Sequence, residues 1–498
     1  MAETENKSED TTSAPESEPA TDVVLSKLTE VVGEANVSNT ELERIVYSGD
    51  PSALPQFHYR WKGRYLADYV VRVTDAEQVE KVLAIAAENK IHVVPRGGAS
   101  SCLGSSSPSR GGISLDIKRL NRILETSQGS DSDAYVRVEP GVTFADLETE
   151  LNKKGLELGI YPSSAKSAVI GGWIGCGGRA GIGTPKYGPL VDNILELKVV
   201  TPDGKTRTVS GEEIDNYSGS YGILGVIVEA KLRVRPKPIA LETFSYGFSH
   251  LEHVCNAMAS IAKAEDKPIY LKIADGRFQT YSNPLEKGRY VLTVTYNGND
   301  AASSQEALTN AISDNGGAFI GEEYSNTEWE LRYDCEFNPK EHTDTLMFQE
   351  VWIHVDKVYD ILQAYEKARK THKVPSIWFG MLGHGSMMRL ELMALLNPDR
   401  YLEFISSKGI LHKMMKRAIK RGGGPYTIGL QNSIYMKKAY PERLQKMKAA
   451  KKNVDPGNMM NPDRVVSCMT SYSRINVLFG LATTFRRLSK YLAKVNQK

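Results

Sequence analysis

Glycines concentrate in one short stretch of the chain and constrain its fold more than any other feature. Residues 171–183 read Gly-Gly-Trp-Ile-Gly-Cys-Gly-Gly-Arg-Ala-Gly-Ile-Gly, with seven glycines in thirteen positions. Glycine loses more conformational entropy on folding than other residues, so such a cluster indicates backbone with positive φ or a close approach to a bulky group. Backbone N–H groups bared in this way form a cradle for phosphate.

Another glycine-rich segment comes earlier in the chain; it is called the first segment below, and residues 171–183 are the second. Residues 95–104 read Pro-Arg-Gly-Gly-Ala-Ser-Ser-Cys-Leu-Gly and directly follow the strand-like run Ile91–Val94. An ordinary surface turn would explain either segment alone, whereas the pair predicts one extended anionic cofactor held by two loops. There is no G-x-x-x-x-G-K-[ST] motif and no G-x-G-x-x-G between a first strand and its helix, which disfavours ATP and nicotinamide cofactors on the usual folds.

Length, net charge and cysteine content limit the number of domains, the partners and the cofactors that this chain can have. A chain of 498 residues predicts two or three domains. The formal net charge of +2 argues against nucleic acid as the main partner. Five cysteines without CxxC spacing indicate reduced thiols in a cytoplasmic protein and no iron–sulfur cluster in this chain. We expect neither a membrane-spanning helix nor a secretory leader.

Hydrophobic patterning divides the chain into parts. Residues 1–20 are polar and acidic, which predicts a disordered tail. From Tyr69 onward strands and helices alternate, and Asp75 is expected to cap the first of these helices. From Ile239 to Tyr440 runs such as Tyr290–Tyr296 predict antiparallel strands with helices between them, which is typical of a second α+β domain.

Several motifs, in a fixed order, resemble those of one known family. They follow the two glycine-rich segments and together resemble the FAD-binding domain of the vanillyl-alcohol oxidase superfamily, also called the PCMH-type domain. The downstream half is similar to the C-terminal domain of FAD-linked oxidases such as bacterial glycolate oxidase and the D-lactate dehydrogenases. The motifs are Tyr187-Gly188, Asp192-Asn193, Val199–Gly204, Gly219–Ile227, Trp329–Arg332, Gly383–Gly385 and Val454–Pro462.

The resemblance implies an α+β fold with FAD extended between two subdomains. It places a PCMH-type two-subdomain FAD-binding domain at residues 45–238 and an α+β cap domain for the substrate at 239–440. The chain would return to the FAD-binding domain at 441–470 and end in a basic amphipathic helix at 471–498.

The resemblance also implies which residues contact FAD. Covalent relatives place a histidine after the paired glycines of the first segment, where this chain has Ala99, so we expect non-covalent FAD. Arg96 or Arg179 would add charge at the diphosphate, with a surface salt bridge as the alternative for each. The implied contacts are Pro95, Arg96, Gly97, Gly98, Ala99, Ser100, Ser101, Pro162, Ser163, Gly171, Gly172, Gly175, Gly178, Gly181, Gly222, Ile227 and Asn461.

Four residues are candidates for the chemistry. A 2-hydroxy acid needs a cation for its carboxylate, ideally an arginine. Arg332 matches the family arginine of the Trp-x-x-Arg segment, and Arg389 is the second candidate. His384 titrates near neutral pH when unperturbed and is the first candidate base, and Tyr426 would serve if its pKa were lowered. A solvated helix face for Arg332 and a buried hydrogen-bonded side chain for His384 are the alternatives.

The metal-binding motif of some relatives is degraded here. Their Gly-His-x-Gly-Asp-Gly-Asn-x-His motif matches only at its start, Gly383-His384, since Asp-Gly-Asn becomes Met387-Met388-Arg389 and the second histidine becomes Glu391. Their Glu-His-Gly segment becomes Pro425-Tyr426-Thr427. A histidine and a glutamate alone are a poor ligand set, so we expect no metal.

These features predict a flavin oxidoreductase that takes a hydride from the CH–OH carbon of a small hydroxy acid, a D-lactate or glycolate. Electrons would pass to a carrier, an iron–sulfur partner or a quinone. The basic helix at 471–498 would contact a membrane surface or a partner, or pack across a homo-oligomer. The alternatives are an enzyme acting on another alcohol, a sugar or a lipid precursor, one similar to alkylglycerone-phosphate synthase, or a non-catalytic flavin subunit.

Overall fold

The computed structural model describes most of the chain. The described residues are 22–52, 65–129, 134–284, 290–333, 336–397, 400–470, 472–474, 477 and 481. The predicted disordered tail at 1–20 and nearly all of the predicted amphipathic helix at 471–498 lie outside the described residues.

A small, mainly parallel sheet begins the cofactor half of the molecule. Its strand order is β1-β2-β4-β3, in which β2, β4 and β3 run parallel and β1 pairs antiparallel with β2. The end of β3 leads directly into the first glycine-rich segment. The strands are β1 (Val37–Ser38), β2 (Tyr69–Arg72), β3 (Val93–Arg96) and β4 (Ile113–Asp116).

The helix Ala76–Glu88 connects β2 to β3. Its first turn is capped by Asp75, whose carboxylate accepts a hydrogen bond from the backbone N–H of Gln78 at 2.8 Å, as the sequence predicts. Parallel strands need a crossover of this kind, and its apolar side packs on the sheet. The buried residues of the helix are Val79, Val82, Leu83 and Ala86.

A five-stranded antiparallel sheet completes the cofactor half. Its strand order is β5-β6-β10-β8-β9, and a two-stranded pair, β7 with β11, lies beside it. The strands are β5 (Ile123–Ser127), β6 (Tyr135–Val138), β7 (Leu156–Glu157), β8 (Ile194–Val200), β9 (Thr206–Ser210), β10 (Val226–Arg233) and β11 (Arg235–Pro236).

The second glycine-rich segment differs from the predicted loop. Its first half forms the helix Ile170–Cys176, which ends at Gly177 with φ 99°. The Gly177 N–H donates to the carbonyls of Trp173 and Ile174, both at 3.0 Å. A left-handed glycine closing a helix in this way is a common cap, so this glycine serves the fold.

The cap half is built on an eight-stranded antiparallel sheet. The strand order is β15-β12-β14-β13-β17-β18-β16-β19. All neighbouring strands in this order pair antiparallel, as the sequence predicts for this half. The strands are β12 (Leu241–Phe248), β13 (Tyr270–Ala274), β14 (Tyr290–Asn297), β15 (Ala318–Phe319), β16 (Thr345–His354), β17 (Ser376–Leu382), β18 (Met387–Leu396) and β19 (Gly424–Pro425).

The two faces of this cap sheet have different partners because successive strand residues point to opposite sides. Residues such as Leu390 and Leu392 on β18 pack against long helices. Met393 on β18 and Phe379 on β17 point the other way and join the core of the cofactor half. The helices on the outer face are Leu251–Lys263, Gly298–Ser313, Val358–His372 and Tyr401–Ile419.

The remaining helices are short, except for the one that brings the chain back. After Pro441–Val454, the carbonyl of Met459 accepts from Val93 N at 3.0 Å, so the chain pairs with the start of β3. No described helix is both long and apolar enough to cross a bilayer. The other α-helices are Val23–Val32, Glu41–Ser48, Phe144–Asn152, Thr184–Tyr187, Ile214–Tyr217, Gly276–Ser282, Glu322–Glu330, Gly429–Asn432 and Met436–Ala439.

The turn that leads to the second glycine-rich segment depends on a buried carboxyl group. Glu148 Oε1, on the helix Phe144–Asn152, accepts hydrogen bonds from the N–H groups of Leu158 at 3.0 Å and Gly159 at 2.9 Å. Burial, and then the charge of Glu157, raises the pKa of Glu148 to about 8. The folded protein therefore keeps this group protonated at pH values where the unfolded chain has ionised it.

A carboxyl group whose pKa is higher in the folded protein than in the unfolded chain lowers the stability of the fold as pH rises from the unfolded pKa to the folded pKa. We therefore expect the melting temperature of the Glu148→Gln variant to rise relative to the wild type between about pH 5 and pH 8, because the amide oxygen still accepts both bonds. Glu150→Gln, at an exposed position of the same helix, is the matched control. An equal pH response of all three proteins in thermal denaturation would contradict the prediction.

Candidate functional site

A cavity with an empty volume of about 1240 Å³ lies between the two halves of the molecule. Backbone and small side chains of the cofactor half form three walls, from the two glycine-rich segments and from residues 217–227. The cap half closes the cavity with polar and charged side chains. These are Glu336, Glu350, Arg389, Glu391, Tyr426 and Thr427.

The paired glycines of the first segment are required by contact between the two segments. A Cβ added at Gly98 would lie 1.9 Å from the carbonyl oxygen of Ser167, and one at Gly97 would lie 2.6 Å from Val169 Cγ2. Neither position tolerates a side chain. Ala99 follows with φ 51°. These glycines bring the segments together, and the backbone beside them faces the cavity.

Glycines of the second segment fall into two groups. Gly175 lines the cavity, and no atom lies within 4 Å of the Cβ position. Gly178 and Gly181 lie outside the lining. A Cβ would lie 2.6 Å from Leu190 Cβ at the first and 2.3 Å from the carbonyl oxygen of Tyr161 at the second. At these two predicted FAD contacts the glycine is required by packing against protein atoms, and neither residue lines the cavity.

Most of the predicted cofactor residues do line the cavity. Bare backbone and small side chains along three walls fit an extended dinucleotide, because a diphosphate needs N–H donors and close approach. The open space at Gly175 is the side of the cradle that an added Cβ would fill. The lining includes Pro95, Gly97, Gly98, Ala99, Ser100, Ser101, Pro162, Gly171, Gly172, Gly175, Gly222 and Ile227.

Two other predicted contacts hold the walls in place instead of lining them. Arg96 Nη1 donates to the carbonyl oxygen of Gly49 at 2.6 Å and to Ser106 Oγ at 3.2 Å. Asn461 Nδ2 donates to the carbonyl oxygen of Tyr221 at 2.6 Å. The Arg96 guanidinium and the Asn461 amide nitrogen are therefore committed to protein groups, whereas Asn461 Oδ1 is buried without a hydrogen-bond partner among the described residues.

Arg179, the other arginine predicted for the diphosphate, is bound to the cap half. Its guanidinium lies 5.3 Å from the ring of Trp352, 5.4 Å from that of Tyr426 and 5.6 Å from that of Tyr440. It donates to the carbonyl oxygens of Pro425, at 3.1 Å, and Tyr426. It lies outside the lining, so neither predicted arginine faces the cavity.

Arg332, the first candidate for binding a substrate carboxylate, also lies outside the lining. Its guanidinium is 4.2 Å from the ring of Trp329 and 4.1 Å from that of Tyr333. It donates to the hydroxyls of Tyr161 at 3.2 Å and Tyr333 at 2.9 Å, and to the Trp329 carbonyl at 2.6 Å. The neighbouring aromatic residues draw this arginine away from the cavity.

His384, the first candidate base, is exposed and also lies outside the lining. It sits in the turn of the hairpin between β17 and β18, just beyond the pair Leu382–Met388. Glu391 pairs with Phe379 inside the sheet. His384 and Glu391 occupy the positions of two metal ligands in some relatives, but here the hairpin places one in its exposed turn and the other inside the sheet. Within the described ranges, no three His, Cys, Asp or Glu side chains form a metal-binding group.

Tyr426 does line the cavity, but its hydroxyl is engaged with backbone. It donates to the carbonyl oxygen of Ala180 at 2.9 Å and accepts from the N–H of the same residue at 3.1 Å. Burial raises the pKa of the phenol. This is the opposite of the lowered pKa that its predicted role as a base requires.

Arg389 is the one predicted catalytic residue that reaches a charged cluster in the cavity. It is 5 % exposed and forms an ion pair with Glu336, which also accepts from Ser163 Oγ. Its guanidinium lies 3.7 Å from Glu350 and 3.2 Å from Glu391. Ser163, a predicted FAD contact, lies behind the lining and supports this cluster.

The strand register brings the carboxylates of the cluster together. Glu350 on β16 lies directly opposite Glu391 on β18, and Arg389 precedes Glu391 by two residues on the same face. Burial, and then the charge of Glu391, raises the pKa of Glu350. Burial raises the pKa of Glu391, and Arg389 opposes this effect.

Glu350 is the cavity residue that the sequence reasoning missed. The signal was present, because an acid in the strand-like run Phe348–Val355 stands where alternation predicts an inward position. In the sequence, its partner Glu391 is notable only because it replaces a histidine of the metal-binding motif of some relatives.

Comparison with known proteins agrees with the shape of the cavity. A family described as FAD binding domain matches residues 67–210, and one described as FAD linked oxidases, C-terminal domain, matches residues 237–465. P-cresol methylhydroxylase with substrate bound has the same fold, with a TM-score of 0.73 at 17% identity over 90% of this chain and 96% of that chain.

Two curated relatives are similar along most of the chain, and a third is similar along less than half of it. Glycolate oxidase subunit GlcD of Bacillus subtilis is 25% identical over 485 residues, 89% of this chain and 96% of its own. The mitochondrial D-lactate dehydrogenase [cytochrome] of Arabidopsis thaliana is 25% identical over 460 residues, which are 86% of this chain and 77% of its own. Alkyldihydroxyacetonephosphate synthase of Dictyostelium discoideum is 30% identical over 219 residues, which are 42% of this chain and 35% of its own.

Fold and cavity define a two-domain flavoprotein. The chain belongs to the FAD-linked oxidases, with an FAD-binding domain followed by their C-terminal domain. FAD is its cofactor and the protein is an oxidoreductase. The predicted α+β, PCMH-type architecture and the predicted family are thereby confirmed.

The open cradle at Gly175 allows a direct test of where FAD binds. In the Gly175→Ala variant the new methyl group meets no protein atom and enters the cavity. We expect the apoprotein to keep its stability or gain up to about 1 kcal/mol, because alanine favours the helix. The affinity for FAD should fall roughly tenfold or more, the effect of one misplaced methyl group.

Flavin fluorescence titration of the apoprotein measures this affinity, and thermal denaturation measures stability. Gly457→Ala is the control, since its Cβ also meets no atom but lies outside the lining. Unchanged FAD affinity in a folded Gly175→Ala protein would show that FAD does not occupy this cavity.

Proposed function

We propose that this flavoprotein oxidises the CH–OH carbon of a small 2-hydroxy acid such as D-lactate or glycolate. The names of relatives at 25% identity, a glycolate oxidase subunit and a D-lactate dehydrogenase, support this substrate class. When bound, FAD supplies the acceptor for the hydride of the substrate C–H bond. The lining residues would hold it without a covalent bond, since Ala99 offers no ring nitrogen.

The observation that carries the proposal is a free donor on Arg389. Its Nε is buried and has no hydrogen-bond partner within the described part of the chain, while the side chain lines the cavity. A substrate carboxylate would accept a charge-assisted hydrogen bond there, which is a strong interaction in a dry site. Arg389 thus takes the role that the sequence assigned to Arg332.

An uncharged alcohol is a second candidate substrate, and the charge balance of the same cluster supports it. Arg389 already faces three carboxylates, from Glu336, Glu350 and Glu391. A further carboxylate in a low-dielectric cavity would be electrostatically unfavourable. The relative named alkyldihydroxyacetonephosphate synthase supports a sugar, polyol or lipid precursor.

We further propose that electrons leave to a separate carrier, an iron–sulfur protein or a quinone, and that the protein is a homo-oligomer in the cytoplasm. The word subunit in the name of one relative supports a partner. The basic segment at 471–498, almost entirely outside the described residues, would provide contact with that partner or with a membrane surface.

Anaerobic mixing of the FAD-loaded protein with candidate substrates tests the proposed reaction. D-lactate or glycolate is expected to bleach the visible flavin absorbance, because hydride transfer reduces the flavin. Bleaching by glycerol or another uncharged alcohol, and by neither acid, would select the second candidate. Bound FAD that no compound of either class reduces would contradict both and favour a non-catalytic role in a larger complex.

The role of Arg389 has its own test. Arg389→Lys keeps a positive charge among the carboxylates but removes the Nε donor. We expect the KM for the hydroxy acid to rise roughly 10- to 100-fold, the loss of one hydrogen bond to a charged group. Reduction kinetics with a series of acid concentrations measure this change.

Arg332→Lys is the control, because this arginine lies outside the cavity lining and should leave KM unchanged. A larger rise in KM for Arg332→Lys than for Arg389→Lys would reverse the assignment of the two arginines.

A further inference from the structure

Two glutamates face each other across the cap sheet at the cavity. Glu350 and Glu391 are direct partners in the antiparallel pair of β16 and β18, and such partners have Cβ atoms about 4.5–5.5 Å apart. They are 7 % and 2 % exposed, and both line the cavity. Two buried carboxyl groups this close do not both ionise at neutral pH, because the second charge is repelled by the first.

The surroundings favour one remaining charge on the pair. Arg389 lies 3.7 Å from Glu350 and 3.2 Å from Glu391, and the Nη2 atom that faces Glu391 also pairs with Glu336. Burial raises the pKa of the thiols and phenols that interact electrostatically with the pair, so they stay neutral. The other charged or titratable groups that face the pair are Glu336, Arg179, Cys102, Cys176, Tyr221 and Tyr426.

We propose that the Glu350–Glu391 pair holds one proton between its two carboxyl groups and accepts the proton that leaves the substrate hydroxyl. The inference rests on the proposed oxidation of a CH–OH carbon, and it holds for an acid or an uncharged substrate.

In the proposed step the substrate loses a hydride from carbon and a proton from oxygen. The C–H bond breaks and its hydride, with two electrons, goes to the bound flavin. The O–H bond breaks and its proton goes to the ionised carboxylate of the pair, while the carbon–oxygen double bond forms. The pair then holds two protons and returns one to solvent.

Other groups in or near the cavity are less suited to this role. His384 is in the exposed hairpin turn, and the hydroxyl of Tyr426 is bound to Ala180. Glu336 accepts from Arg389 and Ser163, so its negative charge is already stabilised in an ion pair. The Glu350–Glu391 pair combines position in the cavity with a proton affinity near neutrality.

The pH dependence of flavin reduction tests the proposal. In the wild type the rate constant from anaerobic stopped flow should rise with pH through the neutral range, as the pair gains an ionised carboxylate. Glu350→Gln and Glu391→Gln each leave a single buried carboxyl group, so one ionisation should replace the two ionisations of the pair and alter the pH profile, while the limiting rate at high pH is largely retained.

The double variant Glu350→Gln/Glu391→Gln removes the acceptor and leaves Arg389 paired with Glu336. We expect its reduction to slow about 10²- to 10⁴-fold, the usual contribution of a general base, and to lose the inflection. A double variant with the wild-type rate and pH profile would overturn the proposal.

Infrared difference spectroscopy of the oxidised holoenzyme gives a readout that needs no turnover. A protonated-carboxyl band that titrates near neutral pH should be present in the wild type and absent from the double variant. Its absence from the wild type would overturn the proposed proton on the pair. A band without reduction by any substrate would instead contradict the proposed oxidation.

Asp275→Asn is the control for both measurements. Asp275 is buried in the cap half away from the cavity lining, and burial raises its pKa to about 6. This variant should alter the infrared spectrum and leave the pH profile of reduction unchanged. A profile that shifts as it does in the single glutamate variants would mean that the kinetics report a general electrostatic effect, which would overturn the proposal.

Discussion

The burial of charge on the inner face of the cap sheet is the constraint on which the site depends. The neighbouring inward residues of β16 and β18 are apolar, such as Phe348 and Met393, and they pack against the cofactor half. An isolated charge at such a position would cost several kcal/mol or change its protonation. Arg389, Glu350 and Glu391 are therefore stable there only as a group, and the contact that buries them also closes the cavity.

The glycine-rich segments set the shape of that cavity more by packing than by direct contact with a ligand. Gly97 and Gly98 allow the first segment to touch the second, and Gly181 allows the second to touch the Tyr161 backbone. The space left between the segments is the cradle, and Gly175 borders it. A high local density of glycine thus has two physical causes, and only one of them is the cofactor.

Local patterns predicted most of the fold and most of the cofactor walls, since strand alternation, the Asp75 cap and contiguous motifs are read directly from the chain. The catalytic end was harder to predict. Arg332 follows a family motif, but its direction is set by flanking aromatic rings. Glu350 meets Glu391 only through the register of two strands whose paired residues are 41 positions apart in the chain, and sequence periodicity does not give that register.

Arg389 and Glu391 stand where the metal-binding motif of some relatives has asparagine and histidine. A glutamate at this position becomes neutral on protonation, whereas a histidine would become positive. An ordinary carboxylate is too weak a base to hold a proton at neutral pH. Burial opposite Glu350 raises its proton affinity, while Arg389 keeps one carboxylate ionised. The three residues therefore act as one unit, because removing Arg389 or either glutamate changes the protonation of the carboxyl groups that remain.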